Sequence, residues 1–153
     1  MKKFFMVCAM AAVLSCVVSC SEREKSEQED LISSDFQGFW IVDYCLSPDG
    51  GKSDVAGFGG IPALHITGDR IYSGVNADGT FVPNEEEYQY ELSEANAGQL
   101  KTLPLKAEGY NNYSVFKLSG EKSDQLREDV YTQTDELVES YFYDRGETLK
   151  HQQ

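Results

Sequence analysis

The sequence predicts an all-β domain of about eight to ten antiparallel strands, a barrel or a sandwich, behind an export signal and a polar tether. Two observations carry the fold. Past residue 35 no stretch keeps a convincing helical period, and short alternating or apolar runs return about every ten residues, divided by Gly, Asp and Asn turn signals. A third observation sets the boundary: the first 34 residues carry none of this pattern.

The first strand is expected over 36–46. Its period of two puts Phe36, Gly38, Trp40, Val42, Tyr44 and Leu46 on one face, and Gln37, Phe39, Ile41, Asp43 and Cys45 on the other. A Gly-rich loop follows over 47–62. Residues 63–75 read as a hairpin with Gly68-Asp69 at its tip. Glycine in the first position suits a type II′ turn, which sets Ile66 opposite Ile71 and His65 opposite Tyr72. Asp78-Gly79 marks a second turn. A strand is expected over 87–92, with Tyr88, Tyr90 and Leu92 on one face, and a single helical turn over 94–99. The run 100–105 is broken by Pro104, which confines it to an edge or a bulge. Strands over 113–118, 125–132, 137–143 and 148–151 complete the series, with turns at Gly120 and Asp144-Arg145-Gly146.

Ahead of the domain, Lys2 and Lys3 precede an apolar run from Phe4 to Val18, interrupted by Ser15. About 15 residues are too few to span a bilayer comfortably, which takes roughly 20, so the run reads as an export signal. Val17-Val18-Ser19-Cys20 at its end resembles the lipobox of bacterial lipoproteins. The resemblance implies that the Cys20 thiol takes a diacylglycerol and that cleavage falls after Ser19. A rival set, Val13-Leu14-Ser15-Cys16, would leave Val17-Val18 at the start of an exported chain. The expected organisation is a signal over 1–19, the lipidated Cys20 with a tether over 20–34, and the β domain over 35–153. The tether is acidic and Ser-rich, and a flexible coil of about 14 residues spans roughly 20 Å. It resembles the signals that send Bacteroidetes lipoproteins to the cell surface. The expected location is the outer membrane, facing periplasm or exterior, with the lipid as the link to the membrane.

The chain has a formal net charge of −13, and since Lys2 and Lys3 are the charges of the signal, the mature part stands at −15. That balance argues against nucleic acid as a partner. Once Cys8 and Cys16 leave with the signal and Cys20 carries lipid, Cys45 is alone. It cannot form an internal disulfide and is expected to be buried as a small apolar group.

Phe36-x-Gly38-x-Trp40 at the head of the first strand resembles the signature of lipocalins and lipocalin-like proteins. With the lipobox, the acidic tether and the strand meander, the chain is similar to small lipocalin-like lipoproteins of Bacteroidetes. The resemblance implies an up-and-down barrel in which Trp40, the single Trp, plugs one end. In many lipocalins a late Arg packs over that Trp, and Arg127 and Arg145 both offer it. It also implies an interior with room for side chains or one small ligand. The candidate ligand-binding residues are Phe36, Trp40, Tyr44, Tyr88, Tyr90, Tyr113 and Tyr141, with Phe116 and Tyr143 among the same aromatics. Two functions are expected. One is binding of a small apolar or amphipathic ligand. The other is a filled barrel docking an envelope protein through Phe39 and Ile41.

No catalytic or cofactor motif competes with these. Gly57-Phe58-Gly59-Gly60 lacks the helix and the Lys-Ser/Thr pair of a phosphate loop. Asn76, Asp78, Gly79 and Glu85 fall at calcium-loop spacing, but Gly74 occupies the position of the first oxygen donor, and a hairpin turn explains the stretch better. His65 and His151 are the two histidines, and no nucleophile elbow accompanies them. The chain is therefore expected to be no enzyme and to hold no metal or cofactor.

Overall fold

A computed structural model describes residues 30–55, 59–120, 124–146 and 149–151. The export signal, Cys20 and the tether through residue 29 lie outside the described residues. The elements are β1 (Gly38–Leu46), β2 (Lys52–Ser53), β3 (Ile61–Ile66), β4 (Ile71–Ala77), β5 (Thr80–Pro83), a 3-10 turn (Glu86–Tyr88), β6 (Leu92–Asn96), β7 (Gln99–Thr102), β8 (Tyr113–Ser119), β9 (Gln125–Tyr131), β10 (Leu137–Arg145) and β11 (Lys150–His151). The fold is all-β, as the strand pattern predicts.

All eleven strands belong to one sheet, ordered β11-β5-β4-β3-β1-β10-β9-β8-β7-β6 with β2 beside β1. Every pairing is antiparallel except that of β11 with β5. Within β3–β5 and within β6–β10 neighbours in sequence are neighbours in space, and the first and last long strands meet, since β1 pairs with both β3 and β10. This is an up-and-down meander curled into a half-barrel. Its open seam lies between β4 and β6, and one antiparallel bridge, Ile71 to Tyr90, spans it.

The hairpin register follows the expected pairing, with Ile66 opposite Ile71 and His65 opposite Tyr72. Its tip is built differently. Gly68 is absent from the positive-φ positions that a type II′ turn needs, and the Thr67 hydroxyl accepts the Arg70 N–H and donates to Asp69. Gly68 serves another purpose, because a Cβ there would collide with the Asp30 carboxylate, and its carbonyl accepts the Ile32 N–H. Asp78 and Gly79 both take positive φ, 50° and 83°, which makes a type I′ hairpin turn between β4 and β5. The Asn76 carboxamide accepts the Gly79 N–H, so the calcium-like spacing serves this turn.

Four expectations are corrected. Residues 87–92 are not one strand: a 3-10 turn occupies Glu86–Tyr88, Tyr90 makes a single bridge, and β6 begins only at Leu92. Residues 94–99 are not helical, because β6 and β7 pair through Asn96 and Gln99 about a tight turn. The loop 47–62 contains β2, and β3 already starts at Ile61. The tether stops short of residue 34, since Ile32 is fully buried in the core.

The interior packs Ile32, Phe36, Trp40, Leu64, Ile66, Ile71, Phe116 and Leu126 into one cluster. A second cluster lies on the other face of the sheet. There Ala63, Phe81 and Leu149 cover Phe39, Ile41 and Tyr72. The apolar pair expected as a docking patch is thus half-buried beneath Phe81 and Leu149. Cys45 is half-buried rather than buried, with its Sγ 2.9 Å from the Ser53 hydroxyl.

Candidate functional site

One end of the meander is closed around Trp40. Its ring is fully buried, and its indole N–H donates to the Phe36 carbonyl at 2.7 Å. Arg145, directly opposite Trp40 in the β1–β10 ladder, lays its guanidinium 4.0 Å from the ring centroid. The same guanidinium donates to the carbonyls of Gln37, at 2.7 Å, and Asp35. Gly38, at φ 122°, lets the backbone turn beneath it. Of the two late arginines, then, Arg145 covers the Trp. Arg127 lies on the outer face, where it ion-pairs with Asp129 at 2.7 Å and faces the Phe142 ring.

The other end is hollow. From Arg145 the inward-facing residues of β10 recede from Trp40 in steps of two, through Tyr143 and Tyr141 to Glu139, about 7 Å per step. They meet Leu64, Glu128 and Val130 around a cavity of about 280 Å³, partly open to solvent. Val55 of the Gly-rich loop also lines it, as do Leu105 and Tyr110 of the β7–β8 connection. Residues 56–58 lie outside the described residues.

The chemistry of the cavity centres on Glu128. It is an acid at an inward position of β9, between Leu126 and Val130, and it is 2 % exposed. One carboxyl oxygen accepts the Tyr90 hydroxyl at 2.8 Å and the Ser114 hydroxyl at 2.5 Å. The other accepts the Tyr143 hydroxyl at 2.5 Å. Burial pushes its pKa above the ordinary carboxyl range, against the lowering effect of the three hydroxyls. Burial and then the Glu128 charge push the Tyr90 and Tyr143 hydroxyls well above the usual tyrosine value. They are therefore held as donors. At the rim, the Tyr141 hydroxyl donates to Glu139 at 2.6 Å.

The predicted ligand-binding residues divide three ways. Tyr90 and Tyr141 line the cavity. Phe36 and Trp40 are inside but belong to the plug. Tyr44, Tyr88 and Tyr113 are elsewhere. A bulge in the β1–β10 ladder after Val42 turns Tyr44 outward, where it stacks on Phe142 at 4.6 Å with the Lys52 ammonium over it. Tyr88 sits in the 3-10 turn with its ring edge against Tyr110. Tyr113 is three residues from the inward Phe116 on one strand and so faces away from it. It stacks on Tyr131 and donates to Asp135, whose hydrogen bond pushes its hydroxyl up to about 12.

Glu128 and Ser114 belong to no motif in the sequence. Their signal was present as polar residues within apolar faces of alternating strands, Leu126-x-Glu128-x-Val130 and Ser114-x-Phe116-x-Leu118. A larger recess of about 440 Å³ lies along the seam between β4 and β6. It carries mixed charge, including an exposed Lys106–Glu91 ion pair at 3.0 Å, and it lacks a buried polar group such as Glu128. No helix among the described residues is long and apolar enough to cross a membrane. No family model, no curated protein and no solved structure matches the chain.

Proposed function

We propose that the chain is a lipid-anchored, lipocalin-like lipoprotein of the cell envelope whose barrel binds a small apolar or amphipathic ligand. The observation that carries the binding is the cavity walled by Tyr90, Tyr141 and Tyr143, with the buried Glu128 among its polar groups. Apolar walls with a few placed polar groups are the usual make-up of a small-molecule site. At about 280 Å³ the cavity suits a ligand below drug size, since such pockets run from ~300 Å³ upward. The lipocalin kinship is supported by Arg145 over Trp40 at the closed end. The anchor rests on Val17-Val18-Ser19-Cys20, and no catalytic step enters this reading. The rival reading, a filled barrel docking a protein, would use Phe39 and Ile41, which are covered.

Native mass spectrometry of the chain isolated from its host's envelope tests the proposal. The expected result is a reproducible small-molecule adduct that Tyr90→Ala removes. A bare mass after incubation with an envelope extract would reject ligand binding.

A further inference from the structure

The cavity has a marked charge character. Of the described residues that line it, Glu128 and Glu139 are acidic and none is Lys, Arg or His. Glu139 sits on the neighbouring strand, opposite Val130 and so diagonal to Glu128, where its charge disfavours a second charge on Glu128. Glu128 has three hydroxyl donors and, among the described residues, no cation in hydrogen-bond or ion-pair contact, so its charge is hydrogen-bonded but not neutralised. The surrounding rings are tyrosines, whose faces attract a cation. The remaining wall combines apolar side chains, among them Val55, Leu64, Leu105 and Val130, with the uncharged polar Ser73, Asn84, Asn112 and Ser114.

We infer that the cavity takes a small organic ammonium, a primary or methylated amine on an apolar body, with its charged end between Glu128, Glu139 and the tyrosine rings. The inference rests on the reading of the cavity as a ligand site and names the ligand's chemical class. An ammonium supplies the countercharge that the lining lacks, and its N–H or N-methyl groups face carboxylates and ring faces. A carboxylate ligand of the same body meets two like charges. A neutral alcohol gains neither attraction.

Calorimetric titration of the full chain with three probes sharing one aromatic body tests this: 2-phenylethylamine, 2-phenylethanol and 3-phenylpropionate. The amine is expected to bind about tenfold tighter than the alcohol, the equivalent of ~1.4 kcal/mol, and the carboxylate to bind weakest. Glu128→Gln and Glu139→Gln are each expected to bring the amine down to the alcohol's affinity. Should Glu128→Gln fail to fold, Glu139→Gln at the rim decides the point alone. Alcohol or carboxylate binding as tightly as the amine overturns the inference and leaves the ligand cavity standing. Loss of the amine to millimolar calcium overturns it in favour of an inorganic cation. Failure of all three probes, together with a bare mass in the native spectrum, overturns the inference and the ligand cavity both.

Discussion

Glu128 costs the fold stability and organises its cavity. A buried carboxyl whose folded pKa is raised binds its proton more tightly than the unfolded chain does. Its penalty is therefore absent below the ordinary carboxyl value of 4.5, grows as pH rises, and is complete above the raised folded value. Glu128→Gln keeps the shape and removes the charge. It is expected to raise the melting temperature at neutral pH by ~4 °C, about 1 kcal/mol for a domain of this size, with the gain vanishing below about pH 4.5. Thermal melts of both proteins from pH 4 to 8 check this, and a variant less stable at neutral pH would show that the hydroxyl bonds outweigh burial. Arg145 contributes in the opposite direction. Arg145→Ala removes the guanidinium from Trp40 and from two backbone carbonyls and is expected to cost about 1–3 kcal/mol in urea unfolding. Since Arg145 lies at the closed end, ligand affinity in the folded variant is expected to hold.

At the scale of elements, the short strands matter more than their lengths imply. β5 and β11 bring Phe81 and Leu149 over Phe39 and Ile41 and so separate an apolar face of the sheet from water. Phe81 is 1 % exposed. Phe81→Ala is expected to cost about 3–5 kcal/mol and to raise binding of a hydrophobic dye, read by equilibrium unfolding and dye fluorescence. Unchanged dye binding would mean that the face closes over again. Gly74 belongs to the same arrangement, because a Cβ there would stand 2.7 Å from the Phe81 ring and collide with the Val82 carbonyl. The elements also show where a strict period of two misleads. The pattern of β1 holds from Trp40 to Val42, and one bulge then sends Tyr44 to the outer face. On β8, aromatic character alone groups Tyr113 with Phe116, but an odd spacing puts them on opposite faces.

For the whole molecule, the proposed arrangement is a strongly acidic domain held off a membrane by a lipid and a short tether. The packed part begins no later than Ile32, inside the stretch 20–34 that the sequence predicts as tether. Cys20→Ala is expected to move the protein from the membrane pellet to the soluble fraction, as followed by fractionation of the producing cells. Retention in the pellet would remove the lipid from the account.

The sequence by itself determined what depends on local pattern. It specified the all-β class, the hairpin register about Gly68-Asp69, the Asp78-Gly79 turn and the place of Trp40 in the interior, because alternation and turn chemistry act over a few neighbouring residues. It also brought three residues of the cavity wall, Tyr90, Tyr141 and Tyr143, into view through their aromatic character. Only the tertiary structure decided which tyrosines share a space, which arginine covers Trp40, and that Phe39 and Ile41 are already covered. Above all it brought Tyr90, Ser114 and Tyr143 onto Glu128. Those four residues come from three strands and a connecting segment, up to 53 positions apart by their numbers. What joins them is the curl of the sheet, a property of long-range pairing that no short window of sequence contains.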